Sequence, residues 1–449
     1  MHEWPHAVHR ARNLFTVAVL AFACSCARYV VVLANPSSGG RTGLRILQTG
    51  VNQLHFSIPN DCIAHFCQLD EAGLDHAVQI LSAIVNTQPT AVCRVMVCGG
   101  DGSLSWVLQR LVRENLETKV GCRWHRGGAW RGWLCCRSRG GAVTQQVSVG
   151  VLPLGTGNDM SRVLGWGSSV PADLLAKGMN GMRRWLSDVC MAMPVWSDMW
   201  RVTLAVDPAV GGRIVTVRGG AEHALPVARI DVVMINYLSL GLDAHVVFET
   251  EKRRQSTPLA NRVMYVLQST WRTIQGHERV TSVVDSMDVG GTPVDKEALG
   301  PQRCLVFLNI ASYGGGARIW DTASSLPESH PLASAPFAPR SNPDQGDGRF
   351  EFVTIRSLPQ LGVHVGFATG AAGGVQKVGQ AAEATLRLKP THDGTTGDAT
   401  TLRCVFAQID GEGYRLEGPV SVTLMHFARA RVLMLAPPSH PQLFRGKTV

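Results

Sequence analysis

A chain of 449 residues, 45% hydrophobic and 17% charged, is too apolar to stay unfolded and long enough to bury two domain cores. Twelve cysteines without a single Cys-x-x-Cys pair read as reduced, mostly buried thiols of a cytosolic protein; they exclude a disulfide-stapled secreted scaffold and paired zinc modules. The formal net charge of +9 favours anionic partners, although evenly spread solubilising charge gives the same sum.

In chain order, residues 1–27 come first. Arg10 and Arg12 precede an apolar run over 14–27 that is shorter than the ~20 residues needed to span a bilayer. This segment reads as an N-terminal extension, with a targeting signal or short anchor as the alternative. From 28 to about 167, apolar strand-like runs alternate with helical stretches, which predicts a parallel sheet with crossover helices and ligands at the carboxyl ends of its strands. Tyr29-Val-Val-Val-Leu-Ala34 and Val95-Met-Val-Cys98 read as buried strands, as does 147–152. A helix is predicted from Ser103 to about 116, with Leu104, Val107, Leu108 and Leu111 on one stripe. Residues 117–146 interrupt this alternation with a basic insertion. Five arginines and three tryptophans fall within 123–139, and glycine pairs break any helix. Disorder is the expectation there, and a lipid-facing role the alternative.

A linker region is expected over 168–229. Beyond it, strand-like segments at 230–235, 304–310, 350–355, 362–367, 384–388 and 420–425 predict an antiparallel β-rich domain over 230–435, followed by a tail at 436–449. Stretches 321–344 and 392–401 read as loop insertions.

Two glycine-rich boxes carry the chemistry: Cys98-Gly-Gly-Asp-Gly-Ser103 and Pro153-Leu-Gly-Thr-Gly-Asn-Asp159, each at the end of an apolar run. Glycine lets the chain turn sharply and leaves nothing between amide N–H groups and a phosphate. A carboxylate in the same turn repels phosphate, so a divalent cation between them follows. Phosphate cradle plus metal carboxylate points to nucleotide-dependent phosphoryl transfer. The backbone of Gly99, Gly100, Gly102 and Ser103 is the expected cradle. Gly155, Thr156 and Gly157 form its opposite wall, and Asn158 fixes either the turn or the nucleotide. Asp101 and Asp159 are the expected magnesium carboxylates; helix N-capping is the competing role for each.

These boxes resemble the GGDG and PLGTGND signatures of the eukaryotic diacylglycerol kinase family. GGDG alone is shared with NAD kinases and phosphofructokinases, whereas the longer second box, continuing Met160-Ser-Arg162-Val-Leu-Gly-Trp166, is specific. Asn35-Pro-Ser-Ser-Gly-Gly40 matches the family's opening turn. Asn236-Tyr-Leu-Ser-Leu-Gly-Leu-Asp-Ala244, Asn261-Arg-Val-Met-Tyr265, Asn309-Ile-Ala-Ser-Tyr-Gly-Gly315, Asp347-Gly-Arg-Phe-Glu351 and Gln408-Ile-Asp-Gly-Glu412 follow in the family's order. The resemblance spans most of 29–435.

It implies an N-terminal three-layer α/β nucleotide-binding domain followed by a β-sandwich-rich accessory domain. The implied reaction is ATP- and Mg2+-dependent phosphorylation of membrane diacylglycerol to phosphatidic acid, with no nucleic-acid partner, by a cytoplasmic, peripherally membrane-associated enzyme. Asn35, Ser38 and Gly39 are implied to support nucleotide. Asp198, in an Asp-x-Trp element, is implied to complete the acidic network, and Asp347 to act as general base, with a plain β-turn as its alternative. Arg162 is implied to meet either phosphate or a carboxylate, while Asp243 and Asp410 receive no role. Ser103 stands where the family usually has Thr, and the family's frequent zinc-binding C1 modules are not found. The alternatives are a ceramide- or sphingosine-type lipid kinase, a soluble NAD kinase-like enzyme, or a silent binding protein.

Overall fold

The computed structural model describes residues 28–57, 61–88, 91–114, 116, 147–253, 279–356, 374–391 and 402–435. The extension 1–27, the basic insertion 117–146, the 261–265 motif, the 362–367 strand, the 392–401 loop and the tail 436–449 lie outside the described residues.

Strands β1 (Arg28–Ala34), β4 (Val92–Gly99) and β5 (Val147–Pro153) form the parallel centre of the first domain, with Val31 opposite Val95 and Val95 opposite Val149. Every residue of β1 and β5 is buried, so both faces of this sheet are covered, as a parallel sheet requires. β3 (Asp61–Gln68) pairs with β1 in parallel, and β2 (Gln53–Ser57) closes the edge antiparallel to β3. Helix α1 (Glu71–Thr87) starts where the Asp70 carboxylate accepts the Gly73 N–H at 2.8 Å, and it buries Leu74, Ala77, Val78, Leu81 and Ile84. Helix α2 (Asp101–Arg113) buries the predicted stripe Leu104, Val107, Leu108 and Leu111.

The stretch 168–229, expected as a linker region, holds helices and strands. Helix α3 (Gly178–Met191) packs Trp185, Leu186 and Val189 into the first core, and the buried Arg94 guanidinium reaches its carboxyl end, donating to the Val189 and Ala192 carbonyls. A cation there complements the helix dipole. β6 (Met193–Val206), β7 (Arg213–Arg218) and β8 (Ala221–Ala224) follow.

The second domain is a sandwich. An eight-stranded antiparallel sheet contains β7, β8, β10 (Tyr237–Gly241), β13 (Cys304–Leu308), β14 (Phe350–Ile355), β15 (Val375–Ala381), β17 (Cys404–Ile409) and β18 (Glu412–Glu417). It packs against β6, β9 (Arg229–Met234), β11 (Val284–Val289), β12 (Thr292–Val294) and β16 (Glu383–Leu388) through one buried cluster. Trp200 meets Phe350 edge-on at 5.3 Å, and Phe307 stacks on Phe352 at 4.7 Å across this interior.

The strand expected at 420–425 is the first part of a 16-residue strand, β19 (Pro419–Met434). β19 pairs antiparallel with β6 and β16, then meets β5 in parallel at Val432 opposite Val149. The last strand of the chain thus fuses the nucleotide-domain sheet and one sandwich layer into a single eleven-stranded sheet.

Candidate active site

β1, β4 and β5 run parallel, so the turns that leave them gather at one edge, where an α/β sheet binds its ligands. Backbone bonds lock the turns together: the Asn35 N–H donates to the Cys98 carbonyl and the Leu154 N–H to the Gly99 carbonyl, both at 3.0 Å. The Asn35 amide donates to Ser103 Oγ at 3.1 Å, tying the first turn to the start of α2. Ser38 donates its N–H to the Asn35 carbonyl at 3.2 Å, and Gly39 packs on Leu154, where a methyl group would lie 3.0 Å from that side chain. Gly100 and Gly155 meet backbone to backbone. A Cβ on Gly155 would sit 2.7 Å from the Gly100 Cα, a separation only glycine allows. Gly99, Gly102, Thr156 and Gly157 fill the same rim, with Gly102 exposed at the amino end of α2. Partial positive charge from that helix terminus points into the rim.

Asn158 has left-handed backbone (φ 55°), and its side chain closes the second turn. Its Oδ1 accepts the Gly155 N–H at 2.8 Å, while Nδ2 donates to the carbonyls of Gly155 and Ser168. Its amide is therefore spent on the loop. Arg162 Nε donates to the Gly157 carbonyl at 3.2 Å, and its guanidinium lies over Gly316.

Asp101 begins α2 and faces the second turn. Its carboxylate accepts the N–H groups of Asp159 at 3.0 Å and Met160 at 3.3 Å, and Asn236 hydrogen-bonds to it as well. Burial, reinforced by the nearby Asp159 charge, pushes its pKa up to about 6. Asp159 is buried and saturated by the other domain. Oδ1 accepts Ser312 Oγ at 2.5 Å and the N–H of Gly316 at 3.0 Å; Oδ2 accepts the Tyr237 hydroxyl at 3.1 Å; the Gly315 N–H reaches both oxygens. Gly315 and Gly316 have φ of 88° and 124°, which lets successive N–H groups converge on one carboxylate.

Asp410 holds the facing wall. Its oxygens accept the backbone N–H groups of Ile235, Asn236 and Tyr237 at 2.8–3.0 Å, and burial together with Asp101 pushes it up to about 7. Asp243 is buried beneath this wall and accepts the Tyr313 hydroxyl.

Asp198 and Asp347 form a second cluster, with no hydrogen bond to Asp101 or Asp159 among the described residues. Asp198, fully buried on β6, accepts His426 Nε2 at 2.8 Å, Arg429 Nε at 2.7 Å and the Gly348 N–H at 2.6 Å. Burial opposes its ionisation, but these hydrogen bonds hold it below its ordinary range. Asp347 stands exposed on the adjoining turn, where its side chain accepts the Arg349 N–H at 2.9 Å. Desolvation raises its pKa above the usual carboxylate value. Behind it, Glu351 is fully buried, accepts Gln380 Nε2 at 3.2 Å, and is pushed by burial to about 8. Asn309 connects the clusters: Nδ2 donates to the carbonyls of Asp198 (2.9 Å) and Ile235 (2.6 Å), and Oδ1 accepts Trp200 Nε1 at 2.7 Å.

Among the described residues no group of three or more His, Cys, Asp or Glu side chains is placed to hold a metal. Asp101, Asp159 and Asp198 all accept hydrogen bonds from protein donors, but Asp159 and Asp198 are buried whereas Asp101 is partly exposed. Asp101, at the rim of the cradle, fits a magnesium ion delivered with nucleotide phosphates, the usual way this ion binds.

Sequence reasoning missed Tyr237, Ser312, Gly316, Asn309, His426 and Arg429 as site residues. Tyr237, Ser312 and Asn309 sit inside motifs that pointed to the family without indicating chemistry. His426 and Arg429 lie on a strand with no such signal.

Comparison with known proteins agrees with this geometry. Residues 29–184 match the Diacylglycerol kinase catalytic domain, and residues 233–413 match the Diacylglycerol kinase accessory domain. The chain is 24% identical over 428 residues to "Probable diacylglycerol kinase 3" of Caenorhabditis elegans, covering 92% of this chain and 44% of that protein. It is 28% identical over 402 residues to human "Diacylglycerol kinase zeta", covering 86% and 34%. Against "Diacylglycerol kinase 2" of Arabidopsis thaliana it is 28% identical over 306 residues, covering 66% and 34%. The chain thus spans less than half the length of these curated relatives. A crystal structure of yeast NADH kinase complexed with NADH aligns over 92% of this chain and 85% of that one, at 6% identity and a TM-score of 0.30, too slight a likeness to carry an argument. With both domains matched in the family's order and the glycine boxes meeting at one sheet edge, this chain belongs to the diacylglycerol kinase family.

Proposed function

We propose that this protein transfers the γ-phosphoryl group of ATP to the free primary hydroxyl of diacylglycerol, giving phosphatidic acid and ADP. The observation that carries the reading is the contact between Gly100 and Gly155 beside Asp101: two bare turns and one carboxylate at the end of a helix dipole. Backbone N–H groups of Gly99, Gly100, Gly102 and Ser103 cradle the phosphates from one side, and Gly155, Thr156 and Gly157 bound the other. Asn35, Ser38 and Gly39 support the nucleotide from the first turn. Asp101 is the carboxylate that would hold Mg2+, through one or both oxygens or an intervening water; the ion supplies charge neutralisation on the transferring phosphoryl group. Asp159 and Asp198 act by positioning. Asp159 closes the second domain onto the cradle, and Asp198 orders the Asp347 turn.

Asp347 serves as general base. As the hydroxyl oxygen bonds to the γ-phosphorus, the bond from that phosphorus to the β,γ-bridging oxygen breaks, ADP departs, and the hydroxyl proton passes to the Asp347 carboxylate. Its raised pKa brings it nearer the operating pH than an ordinary aspartate.

The substrate is a membrane lipid, and among the described residues no helix is long and apolar enough to cross a bilayer. Peripheral attachment from the cytosol is the proposed arrangement. Radiolabelled ATP offered with mixed micelles of diacylglycerol, ceramide or sphingosine tests the assignment. Phosphatidic acid should form only with Mg2+ and fall by at least ~100-fold in Asp101→Asn, as for loss of a key electrostatic group. Preferential labelling of ceramide, or full activity in the variant, overturns it.

A further inference from the structure

In the second domain, the loop 325–342 and the edge of β15 border an open cleft of about 470 Å³. Its walls include Trp320, Ser325, Arg340, Ser341, Asn342 and Lys377, and among the described residues no carboxylate lines it. We propose that this cleft is a second anion site, built to take a phosphate monoester group independently of the nucleotide cradle.

Charge comes first. Neither Arg340 nor Lys377 forms an ion pair with any described residue, and Lys377 Nζ instead lies 5.2 Å from the centre of the Trp320 ring. Two cations lining one cleft without an internal counter-ion repel each other, and an anion between them relieves that repulsion. A phosphate monoester carries about −1.5 to −2 charge near neutral pH and three acceptor oxygens. That matches one forked guanidinium plus one ammonium better than a single carboxylate does. Ser325 and Asn342 add neutral donors.

The second observation is that the loop is held in place from beneath. Gln380, buried on β15, accepts through Oε1 the N–H groups of Arg340 (3.1 Å) and Ser341 (3.2 Å) and the Ser341 hydroxyl (3.1 Å). The Gln380 N–H donates to the Phe337 carbonyl at 2.7 Å, and Phe337 and Leu332 are buried in the sandwich core. A loop fastened by one buried amide and two apolar anchors presents the Arg340 side chain with little backbone ordering left to lose on binding. The volume lies within the range of small-ligand sites, so a phosphate fits together with the group that bears it. None of these residues belongs to either glycine turn, although Gln380 also donates to Glu351 behind the Asp347 turn.

Equilibrium dialysis of the full chain tests this, with inorganic phosphate and glycerol 3-phosphate as probes and saturating non-hydrolysable ATP analogue filling the cradle. Flotation with phosphatidylcholine vesicles, with and without phosphatidic acid, provides the lipid arm. Binding that survives the ATP analogue and weakens at least ~10-fold in Arg340→Gln/Lys377→Gln, the scale of one lost charge-assisted contact, supports the site. Soluble-probe binding assigns a soluble ester; variant-sensitive retention on phosphatidic acid vesicles alone assigns a lipid headgroup. Arg340→Glu should abolish either without moving the melting temperature. Displacement of the probe by the ATP analogue, equal affinity in the double variant, or no binding in both arms overturns the proposal.

Discussion

Ser312 donates its hydroxyl to the Asp159 carboxylate at 2.5 Å, joining the last residue of the second glycine box to a loop of the other domain 153 positions away. Tyr237, Gly315 and Gly316 converge on the same carboxylate. One buried anion thus couples the nucleotide turn to the sandwich. Asp159→Asn turns an amide toward donors that need an acceptor and should cost about 3 kcal/mol. Ser312→Ala or Tyr237→Phe alone should cost about 1 kcal/mol. Urea unfolding of the single and double variants checks this, and additive losses for Asp159 and Ser312 would contradict the coupling.

Glu351 gives the fold a specific pH signature. Its ordinary value of 4.5 rises to about 8 in the folded protein because it is buried. Between those values the folded state keeps a proton that the unfolded state has released, so stability falls as pH rises through this window. Asp101 and Asp410, raised to about 6 and about 7, act in the same direction. Glu351→Gln should remove its own share, a few kcal/mol between pH 5 and pH 8, and leave theirs. Unfolding free energies of both proteins at the two pH values provide the comparison.

If Asp347 accepts the proton, Asp347→Asn should lower kcat by ~100-fold or more while the KM for ATP stays unchanged. The acid limb of the kcat/KM profile in the parent protein should lie above the ordinary carboxylate range, following its raised pKa. A variant with normal kcat would reduce Asp347 to a turn residue.

Gly155→Ala places a methyl group 2.7 Å from the Gly100 backbone, which has no flexible end to move aside. Stability should drop by 1–3 kcal/mol on the overpacking scale, with ATP binding impaired. At Gly102 the nearest atom to an added methyl is Glu412 Oε1 at 3.8 Å, an ordinary contact. Gly102→Ala should therefore keep the parent melting temperature and raise only the KM for ATP, because the methyl group intrudes on the phosphate space alone. Thermal melts paired with ATP titrations separate the two outcomes.

Local patterns carried much of the fold. The Leu104–Leu111 stripe, the apolar runs of β1 and β5, and the boundaries of β14 follow from periodicity and turn residues, which act over a few positions. The stretch 168–229 escaped this reading because α3 and β6 mix polar and apolar residues and owe their order to long-range packing. β19 looked short because its second half carries His426, Arg429 and Arg431 among its apolar residues.

By itself, the sequence determined the two glycine turns, their carboxylates and the order of the domains, because each is written in contiguous residues whose backbone demands are local. Only the tertiary structure decided which donors surround each carboxylate and how deeply each is buried. Hydrogen-bond saturation of Asp159 and Asp198 depends on Ser312, Tyr237, His426 and Arg429, brought across 78 to 231 positions by β19 and the sandwich. A carboxylate's chemistry is set by the donors and the solvent around it, and those are fixed only when distant strands close over the turn.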